Sequence, residues 1–229
     1  MVPAFDSNAG FCYNRNAMEK KGKFIVFEGT DGSGKSTQMK MLSKYVEEKG
    51  VECYLTHEPT DSPFGALLRS CLTGRLDADE HAIALLFAAD RVDHITNPVN
   101  GMKAKLDAGV TVLCDRYYYS SFAYNGGFVP LEWVKELNKP AMEMLRPDLV
   151  IYIDVPIAES MKRVLRRGET ERYETQERQQ KIRTKFFEVF EELKDENIKI
   201  VKSEEDKFQT QAHIRGYIDE LWGNAWKKN

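Results

Sequence analysis

Phe24-Ile25-Val26-Phe27-Glu28-Gly29-Thr30-Asp31-Gly32-Ser33-Gly34-Lys35-Ser36-Thr37 is the stretch on which the fold turns. Four apolar residues of high β-propensity read as a buried strand, and Met39, Leu42 and Val46 beyond it give one buried stripe at helical spacing. Between strand and helix, Gly29 to Ser36 spells G-x-x-x-x-G-K-S, a phosphate-binding loop in its required context. The glycines Gly29, Gly32 and Gly34 let the backbone, through Thr30, Asp31 and Ser33 to Thr37, turn its N–H groups around a polyphosphate. Lys35 then reaches the terminal phosphates, and the Ser36 hydroxyl is a ligand for Mg²⁺. ATP and Mg²⁺ are therefore the expected cofactors.

Working outward, Val51–Leu55, Val110–Cys114, Leu149–Val155 and Ile198–Val201 are further strand-length segments. Segment 178–193 places Ile182, Phe186, Val189, Phe190 and Leu193 on one helical stripe, with Glu and Lys opposite. Five strands alternating with such helices predict an α/β chain with a parallel sheet covered on both faces. The 229 residues, 42% hydrophobic and 30% charged, are enough for a core without disulfide or metal staples. No linker divides them, so 23–229 reads as one domain and 1–22 as a disordered tail. A net charge of −3 offers no basic field for a long nucleic acid. The longest apolar run, Ala82 to Ala89, is far short of the roughly 20 residues of a membrane span. Cys12, Cys53, Cys71 and Cys114 form no metal pattern and read as reduced thiols of a cytoplasmic protein. His57, His81, His94 and His213 lack motif partners and read as surface or core residues.

The loop names the nucleotide and leaves the acceptor open. Asn138-Lys139-Pro140-Ala141 lacks the aspartate of a guanine-reading motif, which weakens a GTPase reading. In the segment Val110 to Tyr117, a strand ends in Asp115, placed to order Mg²⁺ through water, and Arg116, placed to bind an anionic acceptor. Arg69 follows a helix that Glu58-Pro59 opens, Arg91 closes an apolar helix, and Arg163, Arg166, Arg167 and Arg172 cluster around Gly168. Guanidinium forks suit phosphate, and the glycine break predicts a lid over about 163–175 that closes on the triphosphate.

Taken together, Phe27 to Thr37, Glu58-Pro59, Leu86-Phe87-Ala88-Ala89-Asp90-Arg91, Asp115-Arg116-Tyr117 with Ser120 to Tyr124, and Pro147 to Val155 resemble the thymidylate kinase family from about Lys23 to the C-terminus. The resemblance implies a P-loop NTPase-type three-layer α/β/α fold with a five-stranded parallel sheet, transfer of the ATP γ-phosphoryl to dTMP, and a homodimer, to which the apolar face of 82–89 is suited. It implies that the thymine stacks on Phe87, that Arg91 bonds its carbonyl edge, and that Ser121 and Asn125 face that edge, where many bacterial relatives carry the longer Gln. Arg69 and Arg116 would hold the monophosphate beside Glu58-Pro59, and Tyr124 would exclude a 2′-hydroxyl. Because Gly32 stands where some members carry a loop arginine, a lid arginine, Arg167 or Arg163, would meet the transition-state charge. The attacking phosphate oxygen is already anionic, so no general base is needed; Lys35, Arg116, Asp31 and the lid position and neutralise. Glu28 reads equally as a structural acid paired with Arg116. The alternatives are another nucleotide or nucleoside kinase, for which Glu58 is the candidate base, and a non-catalytic ATP sensor.

Overall fold

The first strand, β1 (Phe24–Glu28), is buried throughout and lies at the centre of an all-parallel sheet. Around it run β2 (Cys53–His57), β3 (Thr111–Asp115), β4 (Leu149–Asp154) and β5 (Ile198–Lys202), in the order β2-β3-β1-β4-β5. The sequence-read β2 and β3 began slightly early. Val51 N–H and Val110 N–H instead donate to Val46 and Lys105, finishing the helices before them. Val155 likewise falls just beyond β4. This computed structural model describes residues 22–166, 172–173, 175–203 and 206–223. Gly22 N–H bonds Leu106 C=O and a side chain there would strike the Val110 carbonyl; residues 1–21, on which the rest of the expected tail falls, lie outside the described residues.

Alternate β1 side chains point to opposite sheet faces, as strand periodicity requires. Ile25 and Phe27 pack with Met39, Leu42 and Val46 of α1 (Lys35–Glu47) and Ile214 and Ile218 of α9 (Lys207–Trp222). Phe24 and Val26 face the larger layer. That layer contains α3 (Glu80–Thr96), α4 (Met102–Asp107), α5 (Tyr118–Tyr124), α6 (Leu131–Met144) and α8 (Gln176–Glu192). The three-layer α/β/α expectation is met. On α8 the buried residues Ile182, Phe186, Val189 and Phe190 are the stripe read from sequence.

The register brings the chemistry to one edge. Phe27 pairs with Asp115 and His57 pairs with Asp115, so the C-terminal ends of β1, β2 and β3 lie side by side. Ligands of parallel sheets bind at such ends, where the chain leaves the central strand in both directions.

Candidate active site

At the end of β1 the loop climbs into α1. Gly32 has φ 77°, and a Cβ there would stand 2.3 Å from the Ser160 carbonyl oxygen on α7 (Ile157–Leu165). The loop is thus packed against α7, and an arginine at 32 has no room. From α7, Arg163 instead donates Nη1–H to Gly32 O at 3.2 Å. Gly34, φ 96°, caps α1, and Lys35 sits at its first position. Lys35 is 6% exposed and donates to Gly29 O and Thr30 O at 3.1 and 3.3 Å. Of the lid expected over about 163–175, Arg163 is helical, Arg166 follows α7 as its cap, and Arg167 lies outside the described residues.

Asp115, ending β3, accepts from Ser36 Oγ at 3.0 Å through Oδ2. Its Oδ1 is buried without a hydrogen-bond partner and is 3.8 Å from Lys35 Nζ. An orphaned carboxylate oxygen beside an exposed serine hydroxyl at the mouth of a phosphate loop is a hard oxygen donor set, and it fits Mg²⁺. Ser33 Oγ within the loop is likewise buried and unpartnered.

Arg116 follows in the left-handed region, φ 74°, where a side chain is disfavoured by roughly 1–2 kcal/mol. Its Nη2 meets Asp31 Oδ1 at 2.5 Å, and its Cζ lies 4.9 Å from the Tyr124 ring centre. Asp31 also accepts from Tyr124 Oη at 3.0 Å and Gln179 Nε2 at 2.8 Å, while its own N–H donates to Gln179 Oε1. Burial pushes the Asp31 carboxyl up, but Arg116, then Lys35 and these hydrogen bonds, hold it below its ordinary value. Burial and the Arg116 charge push the Lys35 ammonium down.

Asp31, Pro59, Leu72, Phe87, Arg116, Ser120, Ser121, Tyr124, Asn125 and Tyr173 line one cavity of about 510 Å³, counted to its open mouth. Phe87 projects into it from α3, half-buried against the core. Asn125 is 1% exposed, and neither its Oδ1 nor its Nδ2 has a hydrogen-bond partner. A buried amide left open on a cavity wall is poised for a ligand's polar edge.

Three expectations need correction. Glu58-Pro59 opens no helix: α2 (Pro63–Leu72) starts at a Ser62 cap with Pro63 at its first position, the arrangement that suits proline. Arg69 therefore lies in the last turn of α2, donating to Thr60 O at 2.6 Å and pairing with Asp61 at 3.3 Å, beside the cavity and not on its wall. Arg91 is central to α3, not at its end, and 1% exposed. It grips Glu58 Oε2 at 2.8 Å through Nε and Nη2, and donates through Nη1 to Ser121 Oγ and Asn138 Oδ1. It stands behind Ser121. His94 Nδ1 holds the other Glu58 oxygen at 3.0 Å, so Glu58 is a core acid and has no freedom to act as a base. Removing Glu58 or Arg91 alone would leave a buried charge, costing about 3–5 kcal/mol.

Glu28 makes no ion pair with Arg116 among the described residues. It is fully buried and accepts from Tyr117 N–H at 2.8 Å, Ser120 N–H at 3.2 Å and Ser120 Oγ at 2.6 Å. Burial pushes its carboxyl up to about 7 against the pull of Arg116 and these donors. A carboxyl raised in the fold binds its proton more tightly there than in the unfolded chain. It therefore favours folding below about pH 4.5, and that advantage is lost as pH rises through about 7. The stability difference between wild type and Glu28→Gln, followed by denaturant unfolding, should fall by up to about 3 kcal/mol from pH 5 to pH 8. A difference that rises over this range contradicts the assignment. Asp31, shifted the other way, titrates below this window.

Gln179, Asn138, His94 and Leu72 are site residues that sequence reasoning missed. Gln179 belongs to the polar side of an amphipathic pattern, and no local motif marks it as the partner of a residue 148 positions away.

Comparison with known proteins gives a consistent result. The thymidylate kinase family model matches residues 27–214. A probable thymidylate kinase of Thermococcus kodakarensis is 40% identical over 210 residues, 87% of this chain and 98% of that protein. The thymidylate kinase of Desulfotalea psychrophila is 39% identical over 169 residues, 72% and 80% of the two chains. The solved thymidylate kinase of Candida albicans is 27% identical and superposes with a TM-score of 0.73, over 87% of this chain and 92% of that one.

Proposed function

Since this chain belongs to the thymidylate kinase family and is a nucleoside monophosphate kinase that makes dTDP from dTMP and ATP, we propose how its own residues carry that transfer. The loop from Gly29 to Thr37 cradles the ATP phosphates, with Lys35 on the terminal ones. Ser36 and Asp115 would hold Mg²⁺, which would supply charge neutralisation at the phosphate oxygens. The acceptor lies in the Arg116 cavity, its base against Phe87, its polar edge toward Asn125 and Ser121 with Arg91 behind, and its sugar beside Tyr124 and Asp31. Arg116, with Arg69 at the cavity rim, takes the 5′-phosphate and sets an anionic oxygen against the γ-phosphorus. Arg163, already on the loop carbonyl, is placed to meet the charge of the transferring group, a role Arg167 would share. Because the nucleophile is a phosphate oxygen, no base is needed, and the engagement of Glu58 in the core removes the residue a nucleoside kinase would use.

The open amide of Asn125 in a cavity shared by Phe87 and Arg116 carries this reading. Asn125→Ala should raise the KM for dTMP roughly ten- to a hundredfold while leaving the KM for ATP within about twofold. An unchanged dTMP KM in steady-state assays removes Asn125 from the base site. Two copies pair through outward side chains of α2 and α3, where Phe64, Leu67 and Leu85 are exposed. Among the described residues no helix is long and apolar enough to cross a membrane, in keeping with work on soluble nucleotides in the cytoplasm.

A further inference from the structure

Among the described residues, Glu28 is a fully buried carboxylate at the head of the site to which the transfer mechanism gives no task. Each of its contacts leads to Arg116. Oε1 holds the N–H of Tyr117, the next residue in the chain, and the N–H of Ser120 in the first turn of α5. Oε2 takes the Ser120 hydroxyl proton at 2.6 Å, which turns a lone pair of Oγ toward Arg116, and Nη1 of Arg116 donates to that Oγ at 3.1 Å. From the other side Arg116 N–H bonds Phe27 O at 2.9 Å and its carbonyl accepts from Cys114 Sγ at 3.1 Å. A bulky residue keeps φ 74° only when its surroundings fix it, and here both flanking peptides and one arm of the guanidinium are fixed. Nη2, on the second arm, goes to Asp31.

We propose that Glu28 is a positioning residue for phosphoryl transfer, acting through Ser120 to aim the Arg116 guanidinium at the acceptor phosphate. The proposal rests on the assignment of Arg116 to that phosphate. In Glu28→Gln an NH2 group replaces one acceptor oxygen, so the side chain can no longer accept from both backbone N–H groups and the Ser120 hydroxyl, and the relay is broken at one of its contacts. Ser120→Ala removes the relay while Glu28 still holds Tyr117 and the helix turn, which keeps the test valid if the first variant folds poorly. At pH 8, kcat/KM for dTMP should fall roughly ten- to a hundredfold in Glu28→Gln and roughly tenfold in Ser120→Ala, with the KM for ATP within about twofold of wild type. The double variant should be no worse than the weaker single variant by more than about twofold, because both changes cut the same connection. Ser120→Ala with wild-type dTMP kinetics, full additivity in the double variant, or an equal loss toward ATP would overturn the proposal. Arg116→Ala assayed alongside separates the two levels. If it is severely impaired while both relay variants are normal, the relay alone fails; if it too is near normal, the assignment of Arg116 fails and the relay falls with it.

Discussion

Lys35→Ala is expected to lower kcat by about 10³-fold with the fold intact. The buried ammonium spends two of its three N–H donors on the loop carbonyls of Gly29 and Thr30, which fixes its position. It carries a positive charge into a place from which burial has removed water, so it does not have to reorganise as charge develops on the γ-phosphoryl. Alanine removes both the charge and the link that ties α1 to its loop. The folded state loses little, because Asp115 retains Ser36 and faces Mg²⁺ when the enzyme is loaded. Coupled ADP release, with thermal unfolding as a control, checks this: kcat within tenfold of wild type in a folded variant would remove Lys35 from the mechanism.

Arg116→Ala is expected to reduce kcat/KM for dTMP by about 10²- to 10³-fold. One arm is held by Ser120 and the other pairs with Asp31, so the fork is fixed on the cavity wall, where the proposed reading puts the acceptor phosphate. Lysine should not rescue it, since a single ammonium cannot span Ser120 and Asp31. Glycine suits φ 74° where alanine does not, so Arg116→Gly should be the more stable of the two truncations while being equally inactive. That pairing separates chemistry from backbone strain. Equal stability in denaturant unfolding, or activity returning in the lysine variant, would contradict this account of Arg116.

How far the sequence discloses the molecule depends on how local each signal is. The loop, its strand and its helix are contiguous, and their residue types have little freedom, so Gly29 to Ser36 and the alternating strands were legible and lie where expected. Boundaries slipped where a helix consumed the next residue, as at Val51 and Val110. The start of α2 lies at Ser62-Pro63 and not at Glu58-Pro59, because Ser62 Oγ accepts from Gly65 N–H and proline fits the first helical position. Roles that depend on distant partners were not legible. The Arg91 guanidinium is claimed by Glu58, Ser121 and Asn138, which lie 33, 30 and 47 positions away. In the sequence, Asn138 is marked only by Asn138-Lys139-Pro140-Ala141, which lacks the aspartate of a guanine-reading motif. Nor does sequence tell that the Asn125 amide faces a cavity unpaired, or that Glu28 reaches Arg116 by way of Ser120. Side-chain orientation is decided by packing from several elements together.

On the proposed reading, the cavity beside the phosphate loop takes a phosphorylated pyrimidine, held by its phosphate at Arg116 and by its base at Phe87 and Asn125. The direct test measures ADP release by the wild-type enzyme with ATP and Mg²⁺, offering dTMP, dUMP, dCMP, AMP and thymidine in turn. The highest kcat/KM should fall to dTMP, with no turnover of thymidine, which brings no phosphate for Arg116. Preference for AMP, or phosphorylation of thymidine at a rate comparable to dTMP, would contradict it.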